Sequence, residues 1–230
     1  MTAPDLVSYN KEFFQEIQRD ADADGQYAED AFFERYCEHL VEAGELETAD
    51  RAPYVSQRGM RIDGYGGDPS MSEGVLSLII CDFSQSQEGE RLTATEMEAI
   101  FKRAGAFLTK SLDPVFRSSW EETSAGFQLA DLIASSWSSV NKVRLFMISN
   151  RVLSRRVDSL KAGVFAGKPV VYSVWELDRL HRYVSSGRSR EEIVLEMDDY
   201  GGPLPALPAH LTDAGYESYP VSYTHLTLPT

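Results

Sequence analysis

The sequence predicts an α/β sandwich, a central mixed sheet flanked by helices. Two observations carry that expectation. Short apolar runs, GVLSLIICDF at 74–83, KVRLFMISN at 142–150 and PVVYSVW at 169–175, read as buried strands. The first is apolar almost without interruption, as in a strand covered on both faces. Around these runs lie longer segments whose apolar residues recur at helical spacing, and strands alternating with helices pack as layers about one sheet. No internal repeat is evident.

Taken in order, the chain opens with a helix over 5–22. Leu6, Phe13, Phe14 and Ile17 are its apolar members and Gly25 ends it. A second helix fits 28–43. Phe32, Phe33, Tyr36, Cys37, Leu40 and Val41 make one apolar face; Glu34, Glu38 and Glu42 form an i, i+4 row that reads as a solvated face; Ala43-Gly44 is the stop. A polar connector leads to RIDGYGGDP at 61–69, where Ile62 and Tyr65 among glycines read as a strand running into a turn. With 74–83 it makes a hairpin closed by the loop 68–74. Thr93 or Thr95 caps a helix that runs to Leu112. Thr95 with Glu98 has capping-box spacing, and Asp113-Pro114 breaks the helix. A further helix over 125–138 precedes the second strand. The third strand runs into the helix ELDRLHRYVSSG, and EEIVLEM at 191–197 reads as a final edge strand.

The expected organisation is therefore one domain over 1–200, a Pro-rich extended linker over 201–220 containing GGPLPALPAH, and a tail at 221–230. The tail, VSYTHLTLPT, fits nothing before it and resembles translated adapter or vector read-through. On that reading His225 has no function and the segment stands outside the fold.

Composition narrows the function classes. The 230 residues suit one sizeable domain, and 43% are hydrophobic. No apolar run approaches the roughly 18 residues of a membrane span, and no basic leader precedes an apolar stretch, so a cytoplasmic protein with no membrane association is expected. Cys37 and Cys81 sit among apolar residues and read as buried thiols; the four histidines make no zinc-type pair. A net charge of −14 argues against broad coating of DNA but is compatible with a metal site, which concentrates carboxylates. The stretch 144–161 departs from this acidity, with Arg144, Arg151, Arg155, Arg156 and Lys161 against Asp158 alone.

Phosphodiesterases of the restriction-endonuclease type place an Asp on one strand and, on the next, an acid followed two residues later by a lysine. The carboxylates hold Mg²⁺ through hard oxygen ligands, the metal and lysine activate water, and the strand pleat points the acid and lysine to one side. Asp63 in Arg61-Ile62-Asp63-Gly64 stands where the first Asp belongs. On the following strand Ile80 takes the acid position and Asp82 the lysine position, and no lysine occurs between Lys11 and Lys102. The motif is half present. A variant site would bring Asp63 and Asp82 together on Mg²⁺ across the hairpin, with Glu38 from the second helix as a further catalytic carboxylate and Lys102 as a displaced lysine. The alternative for Asp63 is a turn, Asp-Gly being a common turn dipeptide; Asp68 reads as closing the next turn. Within SNRVLSRRV, Arg151, Arg155 and Arg156 are candidates to contact nucleic-acid phosphates, or else a solvated cluster balancing the acidic N-terminus.

The stretches AFFERYCEHLVEAGELETADRAPY, RIDGYGGDP, GVLSLIICDFSQS, EMEAIFKRAGAFLTKSLDP, KVRLFMISNRVLSRRVD, VVYSVWELDRLHRYVSSGR and GGPLPALPAHL together resemble the N-terminal region of the abortive phage infection family, over about 28–219. The resemblance implies bacterial defence against phage on a restriction-endonuclease-like fold, with a larger domain expected beyond the Pro-rich linker as the partner of this one. Some members carry an intact Asp…(Gln/Glu)-x-Lys hairpin. Only Asp63 carries over; Ile80 and Asp82 depart from the pattern at the acid and lysine positions. Two functions follow as expectations: a Mg²⁺-dependent nuclease acting on phage or host nucleic acid, or a nuclease-derived binding or scaffolding module that does not cut and has an apolar or blocked pocket near Ile80. A third reading, a folding domain for the missing remainder, expects an exposed apolar patch near 200–219.

Overall fold

The computed structural model describes residues 4–56, 59–87, 89–154, 162–188, 206–212 and 215–220. Two compact units divide the chain, Met1–Arg188 and Ser189–Thr230. In the first unit the elements follow in the order α1 (Pro4–Asp24), α2 (Ala28–Glu42), β1 (Asp50–Val55), β2 (Arg61–Tyr65), β3 (Val75–Asp82), β4 (Arg91–Leu92), α3 (Ala94–Ser111), α4 (Pro114–Arg117), α5 (Ala125–Ser136), β5 (Lys142–Ser149), β6 (Val152–Leu153), β7 (Gly163–Phe165), β8 (Lys168–Trp175) and α6 (Leu177–Arg188). Six strands form one sheet in the order β1-β2-β3-β5-β8-β7. β3, β5 and β8 run parallel, while β1–β2, β2–β3 and β7–β8 pair antiparallel. The sheet is thus mixed, and helices flank it, as the apolar pattern predicts.

Each face of the sheet has its own core. On one, Leu76, Leu78 and Ile80 of β3 and Leu145 and Met147 of β5 pack with Ile100, Phe101, Ala104 and Phe107 of α3 and with Leu129 and Ile133 of α5. On the other, Ile79, Cys81, Phe146 and Ile148 pack with Phe13 and Ile17 of α1, Phe32, Tyr36 and Leu40 of α2, and Leu180 of α6. Alternate residues of β3 point to opposite faces, and both faces are covered, which is why the run is apolar throughout. Gly25 and Gly44 end α1 and α2 with positive φ, a conformation glycine adopts without steric cost.

Several elements differ from expectation, each for a local reason. β1 lies in what reads as a polar connector. Pro53 argues against a strand, but β1 is the terminal strand of the sheet, where proline is tolerated, and a register shift between Arg51 and Tyr54 accommodates it. The capping box of α3 is Thr93 with Glu96, two residues earlier than the Thr95–Glu98 pair: Glu96 accepts from the Thr93 backbone N–H (2.8 Å) and hydroxyl (2.6 Å) and donates its own N–H back to the hydroxyl (3.3 Å). β8 is mostly half-buried rather than fully covered, because it sits one strand from the edge. In the second unit Ala206–Thr212 (β9) and Gly215–Pro220 (β10) pair antiparallel, where an extended linker is expected from the prolines. The expected strand at 191–197 and the tail at 221–230 lie outside the described residues. No described helix is long and apolar enough to cross a membrane.

Candidate functional site

The half-motif hairpin forms: β2 and β3 pair antiparallel with Gly64 opposite Ile79 and Tyr65 opposite Leu78. Asp63 is inside β2, not in a turn, and is 2% exposed. Its carboxylate is held on every side. Oδ2 accepts from the Cys81 backbone N–H (2.7 Å) and from Arg61 Nε (2.9 Å); Oδ1 accepts from Arg61 Nη2 (3.0 Å) and Arg51 Nη1 (3.4 Å). The same Arg51 nitrogen donates to the Asp63 carbonyl at 2.9 Å, while Arg51 Nε and Nη2 reach Asp30 Oδ1 at 2.9 and 2.6 Å. Arg61 Nη2 also pairs with Glu29. Burial works against the Arg61 charge, yet the bonds to Asp63 and Glu29 outweigh it and raise the pKa. Asp30 and Glu29 occupy the first turn of α2, where carboxylates also complement the helix dipole. Gly64 is required by close approach: a Cβ there would overlap the Phe33 ring and lie 2.5 Å from the Asp50 carbonyl oxygen.

Asp82 ends β3 at the carboxyl edge of the parallel strands, opposite Ser149 of β5. Oδ2 accepts from Ser149 Oγ (2.7 Å) and Arg151 Nε (2.8 Å), and Oδ1 from Arg151 Nη2 (2.9 Å), a two-pronged grip of guanidinium on carboxylate. Arg151 Nη1 reaches on to Glu96 at 3.1 Å. The hydrogen bonds from Thr93, with Arg151 after them, bring the Glu96 pKa down to about 2. Next to this cluster the Asn150 amide accepts from Ser84 N–H (2.7 Å) and donates to the Ser84 carbonyl (2.6 Å), so a side chain prolongs the β3–β5 pairing past the strand ends. Glu176, buried at the end of β8, accepts from the N–H groups of Asp178 and Arg179 and caps α6; burial raises its pKa.

The structure therefore places Asp63 and Asp82 in two separate arginine–aspartate clusters. Glu38 stands apart on α2 with a side chain 62% exposed, 3.5 Å from Arg35. Lys102 lies on the exposed side of α3, and Asp68 closes its turn by accepting from the Ser70 N–H and hydroxyl, both at 2.8 Å. Arg151, a candidate phosphate contact, is engaged by Asp82 and Glu96; Arg155 and Arg156 fall outside the described residues. Cys37 and Cys81 are free, buried thiols, pushed above the ordinary thiol range by burial.

A divalent ion of the Mg²⁺ kind needs carboxylate oxygens with open lone pairs. Four N–H donors meet the Asp63 carboxylate, and a carboxylate offers about four lone-pair positions. Among the described residues no group of three or more His, Cys, Asp or Glu is able to hold a metal ion. As placed, these residues do not fit the ion.

The family model described as the abortive infection phage resistance protein N-terminal domain matches residues 32–182. The chain belongs to this family. The matched span runs from α2 into α6 and takes in the whole six-stranded sheet, with Asp63, Asp82 and their arginine partners inside it and Glu29 and Asp30 just before it. Comparison with curated proteins and with solved structures finds no match. Sequence reasoning missed Arg51, Arg61 and Ser149 as partners of the two aspartates. Arg61 had a legible signal, since a residue two before Asp63 on a strand points to the same face.

Proposed function

We propose that this abortive-infection domain serves phage defence as a nuclease-derived binding or scaffolding module that does not itself cut nucleic acid. The observation that carries the reading is the Asp63 carboxylate, whose oxygens are taken by Arg51, Arg61 and the Cys81 amide where a nuclease would present them to a metal. The position of the second acid supports it. Ile80 is 1% exposed and packed in the apolar core beneath α3, so this position offers a metal no oxygen ligand. Arg151 points the same way, because its guanidinium is committed to Asp82 and Glu96. Mg²⁺ then has no role, and descent from a restriction-endonuclease-like fold is part of the proposal.

The test is hydrolysis by the full chain of single- and double-stranded DNA and of RNA, with Mg²⁺ or Mn²⁺ and with chelator, beside Asp63→Asn and Asp82→Asn. Cleavage by the wild type no greater than in chelator is the expected result. Metal-dependent cleavage that either Asn variant abolishes would overturn the reading.

A further inference from the structure

We propose that the groove between α2 and β1 binds a basic protein segment, an extended peptide that seats an apolar side chain on the groove floor and sets lysine or arginine against its rim. The groove is a cavity of about 550 Å³. Its floor is apolar: Phe33, Cys37, Ala49 and Val41, the last 39% exposed. Its rim is acidic: Glu34, Glu38 and Glu42 on α2 face Asp50 at the start of β1.

Three features give this groove one kind of occupant. The first is uncompensated charge. Like charges at i, i+4 destabilise a helix, and the partners of this row are weak. Arg35 lies 3.5 Å from Glu38 while its close bonds, 2.6 and 3.1 Å, go to Asp20; among the described residues Glu34 pairs with the neutral amide of Gln26; Glu42 has His39 at 3.4 Å, a cation only when protonated. The second is that Arg51, the one cation among the described residues of the lining, is turned to Asp30 and Asp63 and cannot neutralise the rim. A negative rim over an apolar floor attracts a cationic, part-apolar chain and repels phosphate. The third is the strand edge. β1 ends the sheet, so its outer backbone is unpaired within it. Pro53 and the register shift blunt the later half of β1 against strand addition, which leaves the Asp50–Arg51 half, the part that lines the groove.

The inference takes the domain to be a binding module, but its test is separate. Metal-dependent cleavage would end the non-hydrolytic reading and leave the groove standing. The probe is a short fluorescein-labelled peptide with lysines flanking a central leucine, titrated with the full chain and followed by anisotropy. The comparison peptides carry glutamate for lysine, or glycine for leucine. The lysine–leucine peptide is expected to bind best, and the combined Glu34→Gln, Glu38→Gln, Glu42→Gln variant to bind it about tenfold more weakly, as three partly screened pairs would give. A control that removes three exposed carboxylates elsewhere, Glu98→Gln, Glu121→Gln, Glu122→Gln, is expected to change affinity less than about twofold. Val41→Ser is expected to weaken the leucine peptide and leave the glycine peptide unchanged, a readout independent of the helix row. Equal weakening by the two triple variants, equal binding of the glutamate peptide, no effect of Val41→Ser, or no binding by the wild type would each overturn the proposal.

Discussion

Asp63 and Asp82 sit on adjacent strands and both are gripped by arginine, but in different surroundings. Asp63 lies within β2 with its side chain 3% exposed, and its two arginines, 20% and 23% exposed, are tied in turn to acids of α2. Asp82 lies at the end of β3 with its side chain 17% exposed, and its arginine reaches out to the half-exposed Glu96 at the start of α3. Taking a charge out of water costs several kcal/mol, and only complete pairing offsets it. The inner cluster must therefore be satisfied on all sides to exist at all, whereas the outer one can lose a partner and recruit water. The inner cluster fixes how α2 sits on the β1–β2 edge, and the outer one fixes where the strand ends meet α3.

Asp63→Ala tests this difference most severely. It leaves Arg51 and Arg61 without their common anion and the Cys81 N–H without its acceptor, and a loss of about 3–5 kcal/mol is expected in urea unfolding. A smaller loss than for Asp82→Ala would reverse the comparison. Gly64→Ala, beside it, forces a Cβ into the Phe33 ring and the Asp50 carbonyl oxygen, at about 3 kcal/mol by the same measurement. Asp82→Ala is expected to cost about 2 kcal/mol, because Arg151 keeps Glu96 and gains water. A double-mutant cycle with Arg151→Ala measures how much of that is the pair itself.

Glu96→Gln has the smallest expected effect and a pH signature. The folded-state pKa of about 2 lies below the ordinary 4.5, so the stabilisation is full above about pH 4.5 and disappears as pH falls through about 2. Wild type and variant should differ in melting temperature at pH 7 and converge near pH 2; a difference that persists there would assign the effect to packing instead of charge.

How much of this was legible in the sequence depends on how local the cause is. The apolar run of β3 announced double burial because every second residue must face a different core. The hairpin could be read from two runs and a glycine-rich loop, and its outcome is that Asp63 is internal to a strand and not a turn residue. β1 was hidden because Pro53 is a strand breaker except at an edge, and no local pattern says which strand will be an edge. The partners of the aspartates show the same gradient. Arg61 shares a face with Asp63 two residues away. Arg51 is twelve residues distant, across a pairing whose register shifts, and Arg151 meets Asp82 from 69 residues away through the β3–β5 register. Nothing in spacing encodes a contact made by parallel neighbours. Matching Asp63 to a metal-binding motif followed from its residue type and its place on the hairpin, and neither of these reveals the arginines that surround it.

The parallel pairing has a further consequence, for the time course of synthesis. β3 leaves the ribosome with Leu76, Leu78, Ile79 and Ile80 already in place, but the strand that flanks it opposite β2 is encoded 67 residues later, and β8 later still. At about 5–20 residues per second that is a wait of several seconds with one long edge of an apolar strand open. The β1–β2–β3 meander and α2 can assemble in the interval, since they are contiguous in sequence, and α2 can cover one face. The other face waits for α3 and α5, and the open edge for β5. Folding that must close such distant contacts is slow, and the interval before β5 emerges is when this chain most needs protection from pairing with its neighbours.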